Sequence, residues 1–281
     1  ETYTIDNTAP TVAISRHNPT DEHTNADTVA FLLNFSEDVI SVTAPASIAG
    51  VLVQTLADAL FTMVLCCLKK PGMPLILGGI QTVMAQDKES LSYGSPELHL
   101  TSAAMTEIYK WLGLLSSSAG GCTDAKLVDE QAASESVMSL YNSLMAGTNL
   151  IHQVGCLDGG LTASLSSLVM CDEIIAMIKQ IGKGIQVTDE TLALDILKEV
   201  GPGGEFLSHD HTYDHWKEWF RPTIIDRSNF EVWSDSGSKT YNDRLEPEVD
   251  RILESHAPEP LDENIVQEMK KIINLADNKE V

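Results

Sequence analysis

Apolar residues fall along this chain in two patterns that change at about residue 43. Before that point they tend to alternate with polar ones. "TVAISRH" (11–17) and "TVAFLLNFSEDV" (28–39) are rich in Thr, Val and Phe at partial period-two spacing, which predicts strands. The polar, turn-forming "NPTDEHTNAD" (18–27) separates them. Two or three strands are expected here and little else.

Beyond "VTAPAS" (42–47) short apolar runs alternate with helical periodicity. "MPLILGGI" (73–80) predicts a buried strand, and "LLSSSAGGC" (114–122) and "NLIHQVGC" (149–156) two more. Between and after them lie three helices. "PELHLTSAAMTEIYKWLGL" (96–114) opens on Pro96, which suits a first helical turn. "DEQAASESVMSLYNSLMAG" (129–147) closes on Gly147, a good helix stop, and "LSSLVMCDEIIAMIKQIGKG" (165–184) also ends in glycine. Strand and helix alternating at this spacing predict parallel βα units. The last part is helical. "EPEVDRILESH" (246–256) sets Val249, Ile252, Leu253 and His256 on one face, and "NIVQEMKKIINLA" (264–276) does the same with Ile265, Met269, Ile272 and Ile273. "HAPEPLD" (256–262) reads as a proline-stiffened linker. The most apolar run, Ile48 to Leu68, carries Gln54, Thr55 and Asp58 near its middle. A central Asp opposes membrane insertion by about 2.5–3.5 kcal/mol, so a buried core helix is expected there rather than a membrane span.

Composition narrows the function classes. A net charge of −23 argues against nucleic acid and against anionic membrane surfaces. It suits a neutral, cationic or locally basic partner. Five cysteines, with no CxxC pair, read as buried free thiols in a reducing, cytoplasmic compartment. The chain opens on Glu1 without a basic-then-apolar leader, so a fragment or a processed product is expected.

In a parallel βα architecture, ligands bind beyond the carboxyl ends of the strands. Three such ends are glycine-rich: "GGIQT" (78–82), "AGGCTDAK" (119–126) and "HQVGCLDGG" (152–160). Glycine lets a ligand approach the backbone, and it also serves ordinary βα turns. His152 reads as a pocket residue or a satisfied core histidine. Asp124 and Lys126 read as a pocket mouth or a salt-bridged loop. Asp158 fits a turn, and Glu97 the first turn of a helix. In "GPGGEFLSHDHTYDH" (201–215) three histidines crowd together: His209, His211 and His215. Their spacing misses the H-x-H-x-D-H metal signature by one residue. On a helix only His211 and His215 share a face.

Two resemblances follow from these segments. "DNTAPTVAIS" (6–15) and "NFSEDVISV" (34–42) resemble the first half of a bacterial immunoglobulin-like repeat of large surface proteins, which implies a partial β segment over 1–43. Much more broadly, residues 45–281 resemble the C-terminal half of the trimethylamine methyltransferase family. The fragments "PLILGGI", "GSPE", "GGCTDAKLVDEQAA", "GTNLIH", "GCLDGGLTAS", "CDEIIAM", "GPGGEFLSHDHT" and "APEPLD" occur in the family's order. The resemblance implies an α/β fold: the C-terminal half of a (β/α)8 TIM-type barrel over 44–281, ending in helices. It implies transfer of a methyl group from a small methylated amine to the cobalt of a corrinoid carried by a partner protein. One branch of the family has pyrrolysine about where Gly120 or Gly121 stands. Its absence here points to the branch that demethylates quaternary amines such as betaines. Where betaine-using members can place a basic residue near this strand end, this chain has Ser116, Ser117 and Ser118. The implied substrate-binding residues are His152, Gly120, Gly121 and Asp124. His209 and His211 are implied at the corrinoid-facing rim. Three function classes are thus expected: the methyltransferase, incomplete and inactive as this piece; a metal-dependent hydrolase built on His209, His211 and His215; and a secreted interaction protein.

Overall fold

The structure, a computed structural model, describes residues 47–80 and 91–277, and the backbone of two strands before them. The chain divides into two compact units, Glu1–Ala46 and Ser47–Val281. In the first, strands β1 (Val12–Asn18) and β2 (Ala30–Phe35) pair antiparallel, with Val12 opposite Phe35 and an irregularity between Arg16 and Asn18. The period-two segments therefore form a strand pair. The loop expected at 18–27 lies outside the described residues, apart from Asn18.

The second unit begins with α1 (Ile48–Lys69), capped by the Ser47 hydroxyl, which accepts from the Gly50 amide. This is not the buried helix that its composition predicts: Val51 is its one buried residue. Leu52, Leu56 and Ala59 pack against Leu77, Met105 and Tyr109. Val53, Phe61, Val64 and Leu68 are exposed on the remaining sides. By length and composition α1 could cross a membrane. An apolar surface wide enough for burial all round meets β3 and α2 on one side among the described residues.

Strand β3 (Ile76–Gly78) pairs in parallel with β4 (Leu115–Ala119), and β4 in parallel with β5 (Leu150–His152), in the order β3-β4-β5. The helix α2 (Pro96–Trp111) follows β3, and α3 (Glu130–Ala146) follows β4. The α/β class and its parallel βα units hold as expected. Among the described residues the parallel sheet has three strands, with β3 and β5 at its edges. For this reason β3 is only half buried: Leu77 faces inward while Ile76 stays exposed. Gly78 is needed against β4, because a Cβ there would overlap Ser117. The end of the first strand at Gln81 and Thr82 lies outside the described residues.

The third strand is shorter than its apolar run. After His152 the chain leaves the sheet through Gln153 and Gly155, both at positive φ (66° and 83°). It then forms a small hairpin, β6 (Cys156–Leu157) with β7 (Thr162–Ala163), around a 3-10 turn at Asp158–Gly160. Next comes α4 (Leu165–Gly182), capped by Ser164. The helices α2, α3 and α4 pack in sequence order beside the strands. The largest core cluster joins Leu140 of α3 and Met170, Cys171, Ile174 and Ile178 of α4 to Ile224 and Leu245 further along.

The helix ends follow local chemistry. Ser95 caps α2 ahead of Pro96, Asp129 caps α3, and Gly147 closes α3 at φ 74°. Beyond α4 come four short helices: α5 (Asp189–Leu192), α6 (Leu194–Val200), α7 (Asp210–His215) and α8 (Phe230–Asp235). Of these, α6 lies in the helix-like stretch "TLALDILKEV" (191–200) that stops at Gly201, and the sequences of the other three lack a long enough period to be read. Helix α9 runs from Tyr241 to Ser255, five residues earlier than the apolar spacing indicates. A reciprocal capping box between Thr240 and Asp243 starts it, and Leu245 is buried, so Pro247 is carried inside the helix. Last is α10 (Glu263–Asp277).

Candidate functional site at the carboxyl ends of the parallel strands

The ends of β4 and β5 are joined by short contacts that use the glycines for packing. The Gly120 amide donates to the His152 carbonyl at 3.1 Å. A Cβ on Gly120 would stand 2.8 Å from Ile151 Cγ2. Gly121, at φ 76°, donates to Ser139 Oγ at 3.0 Å and lies under Cys171 and Val154. Both glycines are buried, so their lack of a side chain serves the approach of β5, α3 and α4 to this strand end.

Asp124 lies in the loop beyond β4 and is half buried. Its carboxylate accepts from Ser92 Oγ (2.5 Å), the Tyr93 amide (2.8 Å) and the Gly94 amide (3.1 Å). It thereby fastens the segment before α2 over the end of β4. Glu135 of α3 supports the same loop, accepting from Thr123 Oγ1 at 2.5 Å and from the Asp124 amide at 2.8 Å. Gly94 has no room for a side chain, because a Cβ there would overlap the Glu135 carboxylate. Sequence reasoning did not find Glu135, Tyr93 or Gln153. Tyr93 is buried, and its hydroxyl accepts from Gln153 Nε2 at 3.1 Å. The signal for this pair was the positive-φ turn after β5, which "HQVG" does not announce.

His152 ends β5, is half buried, and its ring has no hydrogen-bond partner among the described residues. Lys126 forms the mouth of the loop, bonding the Asp124 carbonyl at 2.7 Å and the Asp158 carboxylate at 3.0 Å. Asp158 opens the 3-10 turn, and Glu97 is exposed in the first turn of α2. Beneath this surface His99 is buried. Desolvation pushes its imidazole below the ordinary value of 6.5, although Glu135 and Asp124 pull the other way. Burial also raises the Cys122 thiol to about 12 and raises that of Cys171. Both are inert thiols. The strand ends thus combine one free imidazole, a phenol–amide pair and two inward carboxylates. Such a surface can hold a small neutral or cationic molecule.

The histidine-rich segment lies on α7. His209 is its N-cap, Nδ1 accepting from the His211 amide at 3.1 Å, and its other nitrogen stands 3.9 Å from Glu199. His211 and His215 stack with ring centroids 4.2 Å apart, and His215 pairs with Glu218 at 2.9 Å and Glu190 at 3.7 Å. His209 and His215 thus face different carboxylates, while His211 Nε2 is buried without a hydrogen-bond partner among the described residues. Among the described residues no group of three or more His, Cys, Asp or Glu side chains is placed to hold a metal ion. His211 and His215 instead line a cleft of about 520 Å³ with Trp216, Trp219, Phe220 and Arg221. The Arg221 guanidinium stacks on Trp216 at 4.0 Å.

A parallel-stranded α/β unit with a polar, glycine-packed surface at its strand ends defines a class that includes many barrel-type enzymes. Within it, the trimethylamine methyltransferase (MTTB) profile matches residues 37–279, and this chain belongs to that family. It is 37% identical to a trimethylamine methyltransferase MttB of Desulfitobacterium hafniense (strain DSM 10664 / DCB-2) over 231 residues, which are 82% of this chain and 47% of the relative. It is 35% identical to an MttB of Methanosarcina barkeri (strain Fusaro / DSM 804) over 83% of this chain and 47% of that one. A glycine betaine methyltransferase of Desulfitobacterium hafniense (strain Y51) is 34% identical over 82% of this chain and 48% of its own length. The chain therefore spans about half the length of the curated relatives it matches. The family match reaches back to residue 37, into the stretch that resembles an immunoglobulin-like repeat.

Proposed function

We propose that this chain contributes the C-terminal part of a (β/α)8 barrel that transfers a methyl group from a quaternary amine to the cobalt of a corrinoid carried by a partner protein. The relation to methyltransferases acting on trimethylamine and on glycine betaine, at 34–37% identity over more than four-fifths of the chain, carries this reading. The site fits it. A cobalt nucleophile comes with the partner, so these residues need only hold the amine and admit the corrinoid. His152, Tyr93 and Gln153 stand at the strand ends, and the nearby carboxylates of Asp124 and Glu135 set a negative field that favours a cation. Asp124 and Glu135 act through position, keeping the loop after β4 and the segment before α2 in place. Gly120 and Gly121 bring β5 and α4 close enough to shape that surface. An ordinary glycine pair stands where the other branch of the family carries pyrrolysine, which supports a quaternary substrate. The aromatic cleft of His211, Trp216, Trp219 and Arg221 fits a contact with a flat macrocycle or its carrier. There His209 orients α7 as its cap.

The test is methyl transfer to free cob(I)alamin, followed by its absorbance. The assay uses the chain alone and the chain joined to the N-terminal half of the Desulfitobacterium relative. No transfer is expected from the chain alone, and transfer from a quaternary amine in the joined protein. Faster transfer from trimethylamine overturns the substrate class, and no transfer from any methylated amine overturns the function.

A further inference from the structure

Helix α10 is an amphipathic helix that stands largely exposed among the described residues. Every residue from Glu263 to Leu275 is exposed except the half-buried Val266. Ile265, Met269, Ile272 and Ile273 repeat at the spacing of one helical face, with Leu275 at its edge, and each is about half exposed or more. At 100° per residue Lys270 and Lys271 fall on opposite borders of this stripe. Neither has an ion-pair partner among the described residues.

The same unit carries a vacant surface of matching character. A cleft of about 490 Å³ lies between α4, α9 and the segment 220–224. Leu165, Leu168 and Ala176 form one wall, and Val249, Ile252 and Leu253 the other. Asp172 and Glu248 add carboxylates, of which Glu248 already accepts from the Arg251 guanidinium at 2.5 and 2.7 Å, and Arg221 adds a second guanidinium. Asp172 is exposed without an ion pair among the described residues. Basic groups are scarce in a chain of net charge −23, so a lysine pair flanking an apolar stripe is a specific complement to an acidic apolar cleft.

The linker favours a neighbour over the molecule's own cleft. Residues 256–262 are all exposed, and α9 ends with His256 in extended backbone. Pro258 and Pro260 hold φ near −65° and favour an extended chain over the reversal needed to lay α10 back along α9.

We propose that α10 is an exchange arm: in a symmetric dimer, each copy lays the Ile265–Ile273 stripe into the α4–α9 cleft of the other, with Lys270 and Lys271 meeting Asp172 and Glu248. Such an interface is isologous and closes on two copies. It stands independently of the proposed methyl transfer.

Sedimentation velocity of the 281-residue chain in reducing buffer tests it. A two-chain species is expected at tens of micromolar, falling to one chain in Ile272→Asp/Ile273→Asp. Lys270→Glu/Lys271→Glu weakens the dimer by roughly tenfold, and adding Asp172→Lys/Glu248→Lys restores it. Phe61→Asp on α1 leaves the dimer intact. The proposal is overturned by a single-chain mass at every concentration, including one in which α10 is protected from protease by its own cleft. A dimer insensitive to the arm variants, or one abolished by Phe61→Asp, overturns it as well.

Discussion

Glu173 is buried on α4, yet its carboxylate is fully engaged. It accepts from three successive amides, Thr223, Ile224 and Ile225, at 2.5, 2.7 and 2.9 Å. These bonds pin the segment before α8 to α4 across fifty residues of sequence. Arg244 of α9 completes the junction by donating to the Ile224 carbonyl at 2.6 Å. Replacing Glu173 with Ala takes the acceptor from three amides, of which that of Ile224 lies in the core. The expected loss is at least about 1.5–3 kcal/mol, read by urea unfolding, with faster tryptic cleavage at Arg227. Glu173→Gln, which keeps the shape, is expected to lose less. His99 sets a pH dependence. Burial holds its imidazole below the ordinary 6.5, so the fold favours the neutral ring. Its contribution is complete above that value and is lost as pH falls below 6.5 toward the lowered value in the fold. The unfolding midpoint is therefore expected to drop from pH 7 to pH 5, and the drop is shallower in His99→Gln. Neither role was legible in the sequence. Asp124 was read from its place after a strand as a site residue. The amides it holds come thirty residues earlier in the chain, and no local pattern reports a contact of that range.

At the scale of elements, periodicity located the long helices and all three parallel strands, because each carries its apolar residues at its own period, whether or not that face is buried. Caps fixed their ends: Ser95, Asp129, Ser164 and Gly147 all sit where their chemistry predicts. Misreadings occurred where a single residue overrode the pattern. Gln153 at positive φ ends β5 within the stretch 149–156 that predicts one strand, and the Thr240–Asp243 box starts α9 ahead of Pro247. Helix α1 shows the limit of composition, since apolar content does not say how many neighbours a helix meets. Its two sides should therefore respond differently. Phe61→Ser and Val64→Ser, at positions 55% and 52% exposed, are expected to change stability by no more than about 0.5 kcal/mol while reducing aggregation. Leu77→Ala, in the strand beneath the packed side, removes a buried side chain and costs about 2–5 kcal/mol. Light scattering and thermal unfolding separate the two outcomes.

Over the whole molecule, 41 acidic residues face 18 basic ones. Few are paired at short range among the described residues, so self-repulsion opposes the compact state. Raising ionic strength from about 0.01 M to 0.15 M shortens the screening length from about 30 Å to 8 Å, and the melting temperature is expected to rise. A flat or falling dependence would show that local ion pairs outweigh the net charge. The sequence by itself determined the α/β class, the order of the parallel βα units, the amphipathic faces of α9 and α10, and membership of the methyltransferase family. These are carried by periodicity, caps and short motifs, all local along the chain. Only the tertiary structure decided that Gly120 and Gly121 serve packing, that Asp124 and Glu135 fasten loops, that His209 and His215 face different carboxylates, and that α1 and α10 keep apolar faces outward. Each of those depends on which side chains distant in sequence are brought within a few ångströms, and burial and charge pairing are set by that proximity.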